Sequence, residues 1–151
     1  MKLIEYLGRQ LKDGSVLELL EHQDMEVVYR FDRLHENSHD EYTAAARDAG
    51  FELRFDENQM LKTIFCYVQG RDGFSAIDQS IVGATIFESL AEAKAAAEKD
   101  VVGYKHNDGM DFLGRRLSWI SFERANRKFH YEYSPSGLSL ITLSNPDGKV
   151  V

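Results

Sequence analysis

The sequence predicts an α+β fold: a tandem α-β-β-β repeat whose strands form an antiparallel sheet, with the helices packed mainly on one face. Three observations carry that prediction. Two segments with the same pattern stand 78 residues apart, beginning at Phe51 and at Phe129. Each opens with a strictly alternating run, Phe51-Glu52-Leu53-Arg54-Phe55 and Phe129-His130-Tyr131-Glu132-Tyr133, and a period of two is the mark of a half-buried strand. Each unit also has a helical run behind a capping signal upstream of it. The expected organisation is a single domain, 1–151, with repeat units near 1–68 and 79–145.

Taken in order, the chain begins with a short helix before Leu7 that stops near Gly8 or Gly14. Ser15 is the expected N-cap of the first main helix, with Glu18 at capping-box spacing and Val16, Leu17, Leu19 and Leu20 as its apolar stripe. Residues 25–31 read as a strand. A polar, partly helical insertion follows over 33–50. The strand opened by Phe51 then turns at Asp56-Glu57-Asn58-Gln59, with Asn58 in the left-handed position, into Met60-Leu61-Lys62-Thr63-Ile64-Phe65.

Residues 69–79, with Gly70 and Gly73, link the units. Ser89 and Glu92 repeat the capping-box spacing, and residues 90–99 are rich in Ala and strongly helical. Residues 101–116, with Gly103, Gly109 and Gly114, read as a mobile loop, and 117–122 as a strand. After the strand opened by Phe129, Ser134-Pro135-Ser136-Gly137 places Pro where φ is pre-set and Gly where φ is positive. Leu138 to Leu143 closes the unit. One helix on three strands buries too little apolar surface to stand alone, so two units side by side are expected to share one longer sheet. The second face of that sheet is then partly open.

Composition narrows the function. Hydrophobic residues make up 43% of 151 residues, enough for a core. Cys66 is alone and sits in the apolar run Ile64-Phe65-Cys66-Tyr67-Val68, where a buried inert thiol is expected rather than a nucleophile. Glu5 and Arg9 interrupt any apolar signal core, and no run is long and apolar enough to span a bilayer, so a cytoplasmic protein without a membrane partner is expected.

The net charge of −7 is uneven. Residues 32–57 carry eight acids (Asp32, Glu36, Asp40, Glu41, Asp48, Glu52, Asp56, Glu57) against Arg33, Arg47 and Arg54. Residues 105–128 carry Lys105, Arg115, Arg116, Arg124, Arg127 and Lys128 against Asp108, Asp111 and Glu123. The acidic block argues against direct nucleic-acid binding, which needs a dominant positive field, and suits a basic protein partner. A solvated face that aids solubility is the plainer account of the same residues.

The sharpest short motif is His35-Glu36-Asn37-Ser38-His39, which matches the H-E-x-x-H pattern of zinc hydrolases. On a helix that spacing sets both imidazoles on one side, with the Glu as general base. The motif lies in a polar stretch with no evident third ligand, which favours surface histidines over a metal centre. Paired acids such as Asp56-Glu57 stand at a turn, and Ser134, Ser136 and Ser139 near His130 fit turn chemistry better than a triad. Trp119, Phe122, Tyr131 and Tyr133 are aromatic at strand spacing and read as core. Tyr42, Tyr67, Phe74 and Tyr104 flank loops or strand ends, where a protein partner can use them as anchors.

The runs Gly50-Phe51-Glu52-Leu53-Arg54-Phe55-Asp56, Leu61-Lys62-Thr63-Ile64-Phe65-Cys66-Tyr67 and Gly73-Phe74 resemble small immunity proteins of bacterial polymorphic-toxin and contact-dependent growth-inhibition systems. Trp119, the Phe129 run and Leu140-Ile141-Thr142-Leu143 resemble the second half of the same pattern. The tandem unit is similar to that of β-lactamase inhibitory protein. The resemblance spans about residues 45–145 and implies a non-enzymatic inhibitor without cofactors. Such a protein binds one cognate toxin domain, a basic nuclease, and covers its active site or substrate groove. Interface candidates on this reading are Asp32, Glu36, Asp40, Glu41, Tyr42, Asp56, Glu57, Tyr67, Phe74 and Tyr104. The alternative is a zinc-dependent hydrolase using His35, Glu36 and His39.

Overall fold

A computed structural model describes residues 1–31, 40–112 and 114–146. A 3-10 helix, Leu3–Tyr6, leads into helix α1, Gly14–His22. Four strands follow: β1 Val27–Arg30, β2 Glu41–Ala46, β3 Phe51–Phe55 and β4 Leu61–Tyr67. A second 3-10 helix, Gln79–Ile81, precedes α2, Leu90–Lys99, and then β5 Tyr104–Phe112, β6 Arg115–Arg124, β7 Arg127–Ser134 and β8 Gly137–Ser144. The eight strands make one antiparallel sheet in the order β1-β2-β3-β4-β8-β7-β6-β5.

The expected three strands per helix are therefore four. The stretch read as a polar, partly helical insertion contains β2, and the stretch read as a mobile loop is mostly β5. Beyond Tyr42, the buried side of β2 is made of the small Ala44 and Ala46 rather than bulky residues, and β5 is an edge strand whose mostly polar side chains give no alternation.

Local chemistry explains the helix ends. Asp13, not Ser15, caps α1: its carboxylate accepts the Ser15 backbone N–H at 2.9 Å, and hydrogen bonds from Ser15 hold its pKa low. Ser89 caps α2 as its spacing predicts, accepting the Glu92 N–H at 3.2 Å. Both helices close with a six-to-one hydrogen bond, from Met25 N–H to the Leu20 carbonyl and from Val102 N–H to the Ala97 carbonyl. The residues inside those loops, Asp24 and Val101, have φ of 50° and 56°. In the first hairpin it is Gln59, not Asn58, that takes the left-handed conformation, at φ 63°. Gly137 takes the expected positive φ, 115°.

One sheet face carries the core. Phe51, Leu53, Phe55, Leu61, Ile64 and Cys66 from the first half meet Ile120, Phe122, Tyr131, Tyr133, Ile141 and Leu143 from the second. Val16 and Leu20 of α1 and Ala93 of α2 belong to that same cluster, so both helices lie on this side. The buried hydroxyls of Tyr131 and Tyr133 donate to the carbonyls of Thr85 and Phe87, each at 2.9 Å, and tie the segment before α2 to the sheet. Gly50 is required by space as well as by its φ of 84°. A Cβ there would lie 2.4 Å from the Ser75 carbonyl oxygen and 2.7 Å from the Ile77 nitrogen. The chain linking the two halves thus packs directly on the β2–β3 turn.

The registers of the two halves match. Phe51 pairs with Cys66, Leu53 with Ile64 and Phe55 with Leu61. Phe129 pairs with Leu143, Tyr131 with Ile141 and Tyr133 with Leu138. A β-bulge falls between Arg54 and Phe55, and another between Glu132 and Tyr133. Where the halves meet, Ile64 opposes Leu143, Phe65 opposes Thr142 and Cys66 opposes Ile141, so the seam reads alike from either side.

Candidate protein-binding face

Strand alternation sends every second side chain to the face opposite the helices. One row crosses seven neighbouring strands there: Ala45, Glu52, Phe65, Thr142, His130, Ser121 and Lys105. A second row runs Tyr67, Leu140, Glu132, Trp119 and Asn107. Phe65, Tyr67, Trp119 and His130 are all half-buried, and each has a stacking partner or a cation beside it. Tyr67 stacks on Phe74 at 4.2 Å between ring centres, and the Arg47 guanidinium sits 4.8 Å from the Phe74 ring centre. Arg54 lies 4.7 Å from the Phe65 ring centre, and Trp119 stacks on His130 at 5.4 Å.

The arginines are held as well as stacked. Arg54 pairs with Glu52 at 3.7 Å, and Arg71 pairs with Glu132 at 3.5 Å. The Nε atoms of both arginines are buried without a hydrogen-bond partner, leaving a donor on each that is met only by charge. Burial pushes the Tyr67 hydroxyl pKa up and the His130 pKa down, so His130 stays neutral further into the acid range than a free histidine. Beside β1–β3 the face deepens into a hollow of about 710 Å³. Its lining sets Arg30, Arg47 and Arg54 among Asp24, Glu26 and Glu52.

The residues singled out from the sequence scatter over three places. Asp40, Glu41, Asp56 and Glu57 gather at one end of neighbouring strands, because Tyr42 pairs with Phe55. Arg30 opposes Glu41 there and Lys62 lies 3.8 Å from Asp56, so this end is less negative than the acid count suggests. Asp56 accepts from the backbone N–H groups of Asn58 and Met60 and so shapes the turn, whereas Glu57 is exposed. Tyr42 stacks on Tyr29 at 4.9 Å, and the Tyr29 hydroxyl donates to Asp40 at 2.7 Å. Tyr67 and Phe74 lie at the opposite strand end, on the helix-free face. Tyr104 is on the far edge strand and donates its hydroxyl to Glu98 at 2.7 Å, which raises its pKa. Asp32, Glu36 and both histidines of the H-E-x-x-H motif lie outside the described residues. Among the described residues, no group of three or more His, Cys, Asp or Glu is arranged to hold a metal ion.

The core reading of four aromatics holds for Phe122, Tyr131 and Tyr133 and fails for Trp119. An odd spacing from Phe122 and Tyr131's partner Ile120 puts Trp119 on the helix-free side, a parity visible in the sequence once the strand is known. Phe65 was missed for the same reason, since it alternates with Ile64 and Cys66. The arginine partners Arg47, Arg54 and Arg71 come from three separate segments and leave no local signal.

No family model, curated protein or solved structure matches this chain. The face has the residue types that carry binding energy in protein interfaces, Trp, Tyr and Arg, already held in place by stacking. No described helix is long and apolar enough to cross a membrane.

Proposed function

We propose that this chain is an immunity protein, which binds a cognate bacterial toxin domain and covers its active site or substrate groove. The observation that carries this reading is the helix-free sheet face, with Phe65 and Tyr67 half-exposed beside fixed arginines and Trp119 half-exposed and stacked on His130. Side chains that are already ordered lose little rotamer freedom on binding, so more of the contact energy remains as affinity. The acids at the ends of β2 and β3 supply the attraction toward a basic nuclease and speed encounter, while the aromatic rows slow release.

The finer architecture belongs to the same proposal. We infer that the two halves descend from one duplicated unit of a helix and four strands. Matching registers, bulges in corresponding places, and paired six-to-one helix closures support that inference. Duplication explains how a unit too small to bury its own sheet face became stable while leaving the second face open.

The test uses the intact chain and the toxin domain encoded beside its gene. A complex of about 1:1 stoichiometry that suppresses the toxin's activity is expected, with Phe65→Ala and Trp119→Ala each weakening binding by about thirtyfold, the effect of losing a hot-spot side chain. Neutralising Asp40, Glu41 and Glu57 together should slow association and flatten its salt dependence. A neighbouring toxin that neither binds nor is inhibited would overturn the proposal. So would zinc-dependent hydrolysis by the chain that is abolished by His39→Ala.

A further inference from the structure

The two outer strands of the sheet are finished differently. At one edge, β5 carries Lys105, His106, Asn107 and Asp108 and is broken by a bulge between Asn107 and Met110, devices that deter edge-to-edge pairing. The other edge among the described strands, β1, is short, carries Arg30 as its one charge and has no bulge. Val28, Tyr29 and Phe31 are 48%, 49% and 50% exposed, and its pairing with β2 runs without a bulge. Val28 and Tyr29 thus leave a large apolar side chain half exposed on each face of an edge strand that pairs without a bulge.

The charges on this strand indicate what covers it. Glu26 stands just before β1, Arg30 ends it, and Val28 lies midway between them on the same face. Two copies of the strand placed antiparallel about a two-fold axis at Val28 set Glu26 of each opposite Arg30 of the other. Val27 then meets Tyr29, and Val28 meets its own copy. A parallel, in-register pairing would instead oppose Glu26 to Glu26 and Arg30 to Arg30, which costs energy. The strand is thus self-complementary in charge for one arrangement, as an isologous interface requires.

We propose that β1 is a homodimer interface, through which two copies of this chain join their sheets edge to edge. The contact borders the hollow beside β1–β3, whose lining includes Glu26, Val28 and Arg30, and leaves the aromatic rows on β4, β6 and β7 free. A strand of this length buries less than the roughly 1,600 Å² of a standard interface, so the dimer is weak, with a dissociation constant in the micromolar range.

Sedimentation equilibrium of the full chain, over about 1 to 300 μM, reads this directly. The expected result is a reversible monomer–dimer equilibrium. Glu26→Arg alone and Arg30→Glu alone should each weaken it about tenfold or more, since each turns two attractive pairs into repulsive ones. The combined exchange should restore it. Both residues are exposed, so these variants should keep the fold, which circular dichroism checks. Val28→Cys should form an intermolecular disulfide on mild oxidation, whereas Lys105→Cys, on the other edge, should not. A chain that stays monomeric, a dimer indifferent to both single reversals, or a combined exchange that fails to restore it would each overturn the proposal.

Discussion

Replacing Val101 by glycine should stabilise this protein, against the usual direction of such a change. Val101 follows the last turn of α2 with φ of 56°, a region where a β-branched side chain crowds its own backbone. The conformation is enforced from both sides: Val102 N–H reaches back to the Ala97 carbonyl at 2.9 Å, and Val102 packs on the core. The Val101 side chain itself is 91% exposed, so its removal sacrifices almost no packing. Relief of the left-handed strain is worth about 1–2 kcal/mol. The greater freedom of glycine in the unfolded chain offsets about 0.4–1 kcal/mol of that. A net gain centred on about 0.8 kcal/mol remains, which raises Tm by about 2–3 °C for a domain of this size. Urea unfolding followed by circular dichroism measures it, with Val101→Ala as the control that removes β-branching but keeps a Cβ and falls between the two. Asp24 holds the corresponding place after α1 at φ 50°, and because aspartate tolerates that region Asp24→Gly should gain less. If Val101→Gly lowers stability by about 1 kcal/mol, as in an ordinary helix position, the strain argument is wrong.

Other perturbations test other parts of the fold. Gly50→Ala should lose at least about 2–3 kcal/mol in the same assay, since the new Cβ adds a clash with the backbone at Ser75 and Ile77 to the left-handed φ. Cys66 is buried, and burial pushes its pKa up to about 12, so its thiol should ignore an aromatic disulfide reagent at neutral pH and react at the rate of global unfolding; rapid labelling of the native protein would contradict the core assignment. His130 has its pKa lowered, first by burial and then by Lys128, with Glu132 opposing. The unfolded chain therefore takes up this proton first as the pH falls. The contribution of His130 to stability is full above its unfolded value near 6.5 and declines as the pH drops toward the lower folded value. His130→Gln should flatten stability against pH in that window, and an unchanged slope would count against the burial of the imidazole.

What the sequence determined by itself is what local periodicity can encode. The alternation of Phe51, Leu53 and Phe55, and of Phe129, Tyr131 and Tyr133, specifies two strands and which side of each is buried. The spacing of Ser89 and Glu92 specifies where α2 begins, and the apolar setting of Cys66 specifies an interior thiol. β2 and β5 escaped because strand formation there is imposed by neighbours: Ala44 and Ala46 are buried only because Leu53 and Phe51 lie across from them, and β5 is held by β6 on one side alone.

The helix-free face was decided by tertiary structure alone. Arg47, Arg54 and Arg71 are unremarkable in sequence, and they become a set only when β3, β4 and the linking segment bring Phe65, Tyr67 and Phe74 beneath them. The grouping of Asp40 and Glu41 with Asp56 and Glu57 likewise follows from the pairing of Tyr42 with Phe55. Period and capping act over a few residues, whereas a surface made of one side chain from each of seven strands depends on register, which only the assembled sheet defines.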